Sequence, residues 1–142
     1  MEHRDLTAED EELMAAALAA IRRSYRKGCH HVGAAVRAGS GKVYTGVHME
    51  SPGVDVCAEW VALGAAATAG EREFTCVVAV RPSAAKGGTP GVMSPCGVCR
   101  ELLYFYGPEM DVIVPIQAKP RKVKISELLP IPYEDKRPAD EL

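Results

Sequence analysis

Three cysteines that lie far apart in this chain are placed to meet: Cys57 in Cys57-Ala58-Glu59, and Cys96 and Cys99 in Pro95-Cys96-Gly97-Val98-Cys99. If all three hold one metal ion, two loop-to-helix junctions must converge on a single point of the fold. A structural zinc site closes its four positions with protein ligands, whereas a catalytic one keeps a position for water. Three thiolates with one adjacent carboxylate match the second kind. A zinc ion held this way lowers the pKa of water to about 7, and a carboxylate beside it takes up and passes on the proton. The cofactor expected is therefore one Zn2+ per subunit, with Cys57, Cys96 and Cys99 as ligands and Glu59 as the catalytic carboxylate.

Both segments begin helices, where unpaired N–H groups and the positive end of the helix dipole favour thiolates. Three thiolates outweigh the charge of a zinc ion, and Arg100, next to the last ligand, is expected to add a charge-assisted hydrogen bond. Glu59 follows Cys57 by two positions, so it reaches the metal's ligand without displacing a sulfur, and the apolar Trp60 and Val61 beside it favour burial. Cys-Gly-Val-Cys alone also suits a dithiol oxidoreductase, and the cysteines alone also suit a non-catalytic zinc-stabilised binding module. The dithiol reading leaves Cys57 with Glu59 unexplained. Cys76 opens an apolar strand and reads as core. Cys29 beside His30 and His31 reads as a loop edge, although a second metal site remains open there. His30, His31 and His48 flank two strands that lead toward the pocket, which places one or two of them in a substrate cleft.

Helical spacing of Leu13, Met14, Ala17, Leu18 and Ile21, with Thr7 as cap and Asp10 completing a capping box, predicts a helix to about residue 25, ended by Gly28. Residues 32–37 and 42–47 read as a hairpin, and Ser51-Pro52-Gly53 as a loop. Residues 57–69 read as an alanine-rich helix closed by Gly70. The apolar run 75–80 reads as a strand covered on both faces. Residues 82–95 form a Gly/Pro-rich loop, flexible at Lys86-Gly87-Gly88. A helix from Cys96 to Gly107-Pro108, a strand at 111–116, a last strand at 123–125 and a helical turn at 126–129 complete the chain. The order predicts an α/β fold: a mixed sheet of about five strands with helices on both faces.

At 142 residues the chain is read as a single domain, 1–142. Its net charge of −2 counts against nucleic acid as a partner. The basic clusters at Arg22, Arg23, Arg26 and Lys27, and at Arg121, Lys122 and Lys124, read as solvated faces. No apolar run has the length of a membrane span. An odd count of five cysteines with no signal peptide suits reduced thiols and a cytoplasmic location. The ending Ala139-Asp140-Glu141-Leu142 is read as a chance likeness to a retention signal.

The two zinc segments, with Val32-Gly33-Ala34-Ala35, Val43-Tyr44-Thr45-Gly46-Val47 and Leu128-Leu129-Pro130, resemble the cytidine deaminase superfamily. The run from Cys57-Ala58-Glu59-Trp60 through Ala65-Ala66-Ala67 and the short loop between Val47 and Cys57 are closest to its blasticidin S deaminase-like members. The resemblance implies a three-layer α/β/α fold and hydrolytic removal of the 4-amino group of a cytosine-type nucleoside, in a homotetramer. It implies that the Ala58 N–H binds the pyrimidine carbonyl, that the Ser94 carbonyl accepts from the leaving amine, and that Tyr133 approaches the substrate. His48-Met49-Glu50 stands where housekeeping members have Asn-x-Glu for the sugar, so Glu50 fits and His48 departs. His30 stands in place of a Phe, Trp60 in place of an Arg, and Glu134 and Asp135 follow Tyr133 where a tryptophan is usual.

Overall fold

The computed structural model describes residues 1–83 and 90–134. The stretch Lys86-Gly87-Gly88, Asp135 and the final Ala139-Asp140-Glu141-Leu142 lie outside the described residues. Helix α1 (Ala8–Ser24) starts at the expected cap. Thr7 Oγ1 accepts the Asp10 N–H at 3.2 Å, and Asp10 Oδ2 accepts the Thr7 N–H at 2.9 Å, so two otherwise orphaned donors are satisfied. Strands β1 (Gly33–Ala38) and β2 (Val43–Val47) form the hairpin. A two-rung ribbon of β3 (Met49–Glu50) and β4 (Asp55–Val56) then brings the chain to Cys57. After it come α2 (Ala58–Thr68), β5 (Phe74–Arg81), β6 (Gly91–Met93), α3 (Gly97–Tyr106), β7 (Asp111–Ile116), β8 (Lys119–Lys124) and α4 (Ile125–Leu128).

The main sheet runs β2-β1-β5-β7-β8, with β6 on β5 as a sixth strand. Only β5 and β7 are parallel, and α3 makes the crossover between them. Because side chains alternate along a strand, each inner strand feeds two cores. Ala34, Val36, Val77, Ala79, Val112 and Val114 pack under α2, α3 and α4. Ala35, Cys76, Val78, Val80 and Ile113 pack against Leu13, Ala17 and Ile21 of α1. The sheet is thus covered on both faces, as expected.

Two glycines set how closely the helices approach. A Cβ at Gly33 would lie 2.4 Å from the Ala17 carbonyl oxygen, and one at Gly46 would lie 2.5 Å from the Ala62 nitrogen and 2.8 Å from the Val61 carbonyl carbon. Those neighbours are backbone and cannot swing away. Gly46→Ala is therefore expected to destabilise the fold by about 1–3 kcal/mol and to weaken zinc retention by pushing out the helix that presents Cys57 and Glu59. Urea denaturation and metal content measure the two effects, and parental values for both would refute the close-approach argument.

The structure corrects the sequence reading at three places. Residues 82–95 are not all loop, because β6 pairs Gly91, Val92 and Met93 with the end of β5. Around the expected loop at Ser51-Pro52-Gly53, the segment between Val47 and Cys57 forms a two-rung ribbon, which the sequence reading did not include. The basic run at Arg121, Lys122 and Lys124 is not a solvated face: it lies on an edge strand that starts at Lys119, and each cation has an anionic partner. Lys122 Nζ is 2.8 Å from Asp10, Lys124 Nζ is 3.3 Å from Asp111, and Arg121 pairs with Asp5. The N-terminal segment lies along this strand, with Arg4 bonded in both directions to Lys122 at 2.9 Å.

Candidate active site

Cys57 and Cys96 are the N-caps of α2 and α3, and the two helix starts meet beneath one end of the sheet. Cys57 Sγ lies 3.7 Å from Cys96 Sγ, and the three sulfurs of Cys57, Cys96 and Cys99 lie within 4.8 Å of one another. A tetrahedral zinc with Zn–S bonds of about 2.3 Å requires sulfurs about 3.8 Å apart. The donor set fits that ion. All five cysteines are free. Cys96 Sγ accepts the Cys99 N–H at 3.5 Å, the helix-start stabilisation expected for a thiolate.

The thiols differ in their ease of ionisation. Burial pushes Cys57 up, and burial together with the neighbouring Glu59 pushes Cys99 up further. Burial also opposes ionisation of Cys96, but the Cys99 N–H and the two neighbouring sulfurs outweigh it and hold Cys96 low. Three crowded sulfurs of this kind are stabilised as thiolates by a divalent cation placed among them. Glu59 is 6% exposed, and burial raises its pKa, with partial offset from its own N–H and from Cys99. A carboxyl group shifted upward by desolvation takes up a proton more readily than an exposed one, as a proton carrier must. Trp60 does not bury it, because Trp60 is 41% exposed and lines a separate groove.

A cavity of about 250 Å³ joins Cys57, Ala58, Glu59, Ser94 and Cys96 with His48, somewhat below the roughly 300 Å³ at which ligand pockets usually begin. It suits a planar heterocycle with part of a substituent. Ala58 takes the first helical position, where a backbone N–H has no intrahelical acceptor. Val32, Asp55, Ala79 and Met93 complete the walls. Sequence reasoning missed Asp55 and Met93, because the pairings that bring them here are the β3–β4 ribbon and the β5–β6 register.

The remaining predicted residues occupy a surrounding layer. Arg100 does not bond a sulfur: its guanidinium donates to the Pro95 carbonyl at 2.9 Å, to Ser94 Oγ at 3.0 Å and to the Leu128 carbonyl at 3.1 Å. It thereby fixes the turn that enters Cys96. His30 stays out of the cavity, with Nδ1–H donating to the His48 carbonyl at 2.8 Å. Tyr133 lies apart from Glu59. It is 82% exposed, in a groove with Trp60, Val98, Leu102 and Phe105.

His31, His48 and Glu50 also cluster within metal-binding distance, and here the hydrogen bonds decide. His48 Nδ1 accepts N–H groups from His31 at 2.6 Å and Val32 at 3.2 Å, so the ring proton resides on Nε2. That Nε2–H faces Glu50 Oε2 at 3.6 Å. His31 Nε2 accepts the Gly28 N–H at 2.9 Å. Neither imidazole has a lone pair left for a metal, so this second cluster is a set of oriented rings and not a cation site; the Cys29 thiol is not part of it, while the Cys29 carbonyl accepts the Glu50 N–H at 3.1 Å. His48 thus presents a fixed donor, as an amide N–H would.

The family model for the cytidine and deoxycytidylate deaminase zinc-binding region matches residues 7–114. The chain is 38% identical over 133 residues to the blasticidin-S deaminase of Bacillus cereus, covering 91% of this chain and 95% of that protein. The crystal structure of cytidine deaminase from Burkholderia pseudomallei is similar with a TM-score of 0.71 at 31% identity, covering 90% of this chain and 100% of that one. That of cytidine deaminase from Mycobacterium leprae has a TM-score of 0.70 at 29% identity, with 89% and 100% covered.

Proposed function

From the premise that this chain belongs to the cytidine and deoxycytidylate deaminase family, we propose that it replaces the 4-amino group of a cytosine-type nucleoside with a carbonyl, releasing ammonia. The observation that carries this is a buried carboxyl, Glu59, sharing one small cavity with Cys57 and Cys96, two of three sulfurs that lie together at zinc spacing. Cys57, Cys96 and Cys99 would hold the zinc ion, which would supply the Lewis acidity that makes water a nucleophile at neutral pH. Glu59 removes a proton from the attacking water as its oxygen bonds C4, and passes the proton to N3. It then carries the proton of the new hydroxyl to the amine, so the C4–N bond breaks with ammonia as leaving group. Overall, one water is consumed and one ammonia is formed.

The Ala58 N–H holds the pyrimidine carbonyl, and the Ser94 carbonyl receives the departing amine. The His48 Nε2–H and Glu50 meet the sugar, while His30 and Arg100 hold the His48 and Ser94 segments in place. We assign the chain a single domain and a homotetrameric assembly. The exposed groove of Trp60, Val98, Phe105 and Tyr133 supports a covering neighbour, which would bring Tyr133 to a partner's site. Five unpaired thiols support a cytoplasmic location.

An ultraviolet absorbance screen over cytidine, deoxycytidine, cytosine, blasticidin S and 5-substituted cytosines, with ammonia assayed in parallel, tests the reaction. Turnover of at least one compound with one ammonia per product is expected. A protein that binds one zinc per subunit and releases no ammonia from any of them would instead be a non-catalytic zinc module.

A further inference from the structure

We propose that α1 is a self-association surface, which pairs antiparallel with the α1 of a second copy of this chain about a two-fold axis. Among the described residues, α2, α3 and α4 cover one face of the sheet and α1 alone covers the other. The pairing is therefore separate from the Trp60 groove and joins single chains, or the assemblies that the groove forms.

Leu13, Ala17 and Ile21 turn inward. The outer flank of the helix then carries Ala8, Glu11, Ala15, Leu18, Arg22 and Tyr25, all exposed except the half-buried Leu18. Their spacing alternates between three and four, the period of a helix-pairing seam. Glu11, Ala15 and Leu18 also line an apolar cavity of about 530 Å³ against Val80 and Val92, so the flank runs into an apolar recess. From Leu13 to Ile21 the helix contains no polar side chain, although Ala15 and Ala19 are exposed. A surface helix ordinarily turns polar residues outward, and one that is apolar all round is covered on both sides.

The charges at the two ends of this flank lack partners. Among the described residues the side chains of Glu11, Glu12, Arg22 and Arg23 make no ion pair or hydrogen bond. Three and four positions beyond the acids stand Met14, Ala15 and Ala16, and three and four before the arginines stand Leu18, Ala19 and Ala20. Pairing within the helix needs those spacings. The helix dipole accounts for which sign sits at which end, but it leaves the charges unpaired and the middle bare.

An antiparallel second copy satisfies the whole flank. With Ala15 of one copy opposite Leu18 of the other, Glu11 falls opposite Arg22 and Ala8 opposite Tyr25. The two-fold axis repeats each contact, as in any isologous interface. Apolar residues meet at the centre and opposite charges meet at both ends. A parallel pair would set like charges together, and a partner of one sign would satisfy only one end. This self-complementarity makes the second copy the occupant.

Sedimentation equilibrium of the zinc-loaded protein tests the pairing in Glu11→Arg, Arg22→Glu and the double variant. Each is also made with Phe105→Asp to break the groove contact. Glu11, Arg22 and Phe105 are exposed, so the substitutions spare the core. Phe105→Asp with native Glu11 and Arg22 should form a reversible dimer, weakened by added salt. Either single swap sets like charges together twice and should weaken that dimer by at least about 10-fold, whereas the double variant should restore it to within about threefold. With Phe105 intact, the single swaps should reduce the size of the largest assembly. A Phe105→Asp protein that is monomeric at every concentration overturns the proposal. So do single swaps without effect, or a loss that the double variant does not reverse. None of these readouts uses deamination, so the outcome is independent of the reaction proposed above.

Discussion

Changing Glu59 to Gln is expected to cut ammonia release by about 10²- to 10⁴-fold while zinc content stays at one per chain. Gln copies the shape and the hydrogen-bonding reach of Glu, but it cannot carry the two protons of the proposed reaction, one from water to N3 and one from the new hydroxyl to the amine. Glu59 is not part of the sulfur cage, since the three thiols that lie together are those of Cys57, Cys96 and Cys99. It also makes no ion pair among the described residues, so the substitution breaks no charge pair. The two readouts therefore separate its role from metal binding. By contrast, Cys99→Ala removes a fully buried member of the sulfur cluster and should lose zinc and activity together. Metal analysis and ammonia assay on the same preparation distinguish these outcomes. Native-rate release from Glu59→Gln would remove Glu59 from the proton path, and zinc loss in that variant would make it a ligand.

The sulfur cage was legible in the sequence because its chemistry is local: a thiol spacing, a helix start and one carboxylate identify it without any knowledge of the fold. The inner strands were legible for a similar reason. A run such as Thr75 to Val80 has few ways to be buried other than between two helical layers. What was hidden depends on register. Met93 enters the cavity only because β6 pairs antiparallel with the end of β5, placing Met93 opposite Ala79, and Gly91 gives no strand signal. The basic cluster of Arg121, Lys122 and Lys124 looked solvated because it lacks apolar alternation, yet an edge strand can be held by ion pairs instead. His48 was the hardest to read. Its place of an asparagine looked like a departure until two backbone N–H groups were found on Nδ1, which turns the ring into a single-donor group.

The largest effect on stability is expected far from the sulfurs, at Asp10. This carboxylate is 1% exposed, with Lys122 Nζ from β8 at 2.8 Å and the Arg37 guanidinium from β1 at 3.7 Å. The Cys76 thiol from β5 faces it at 4.0 Å, and burial beside this carboxylate pushes that thiol up to about 12, so it stays neutral. Burial alone would raise the Asp10 pKa, but the Lys122 ammonium and the two Thr7 hydrogen bonds outweigh it and hold the carboxyl below its ordinary value of 3.8. A carboxylate depressed in this way stabilises the fold above the ordinary value, and the contribution is lost as pH falls through the lowered one. Asp10→Asn keeps the shape but leaves Lys122 buried without its partner, which should cost about 3–5 kcal/mol at pH 7. Asp10→Ala should cost more, because the acceptor for the Thr7 N–H is lost as well. The gap between wild type and Asp10→Asn should be flat from pH 7 to about pH 5 and should narrow below 3.8. Urea denaturation across that range measures it. The group links α1 to both β1 and β8, so the same variant should loosen the strand that leads from Val32 into the cavity. A gap below about 1 kcal/mol at pH 7, within the range of an exposed pair, would show that Asp10 is a solvated cap and not the buried clasp between helix and sheet.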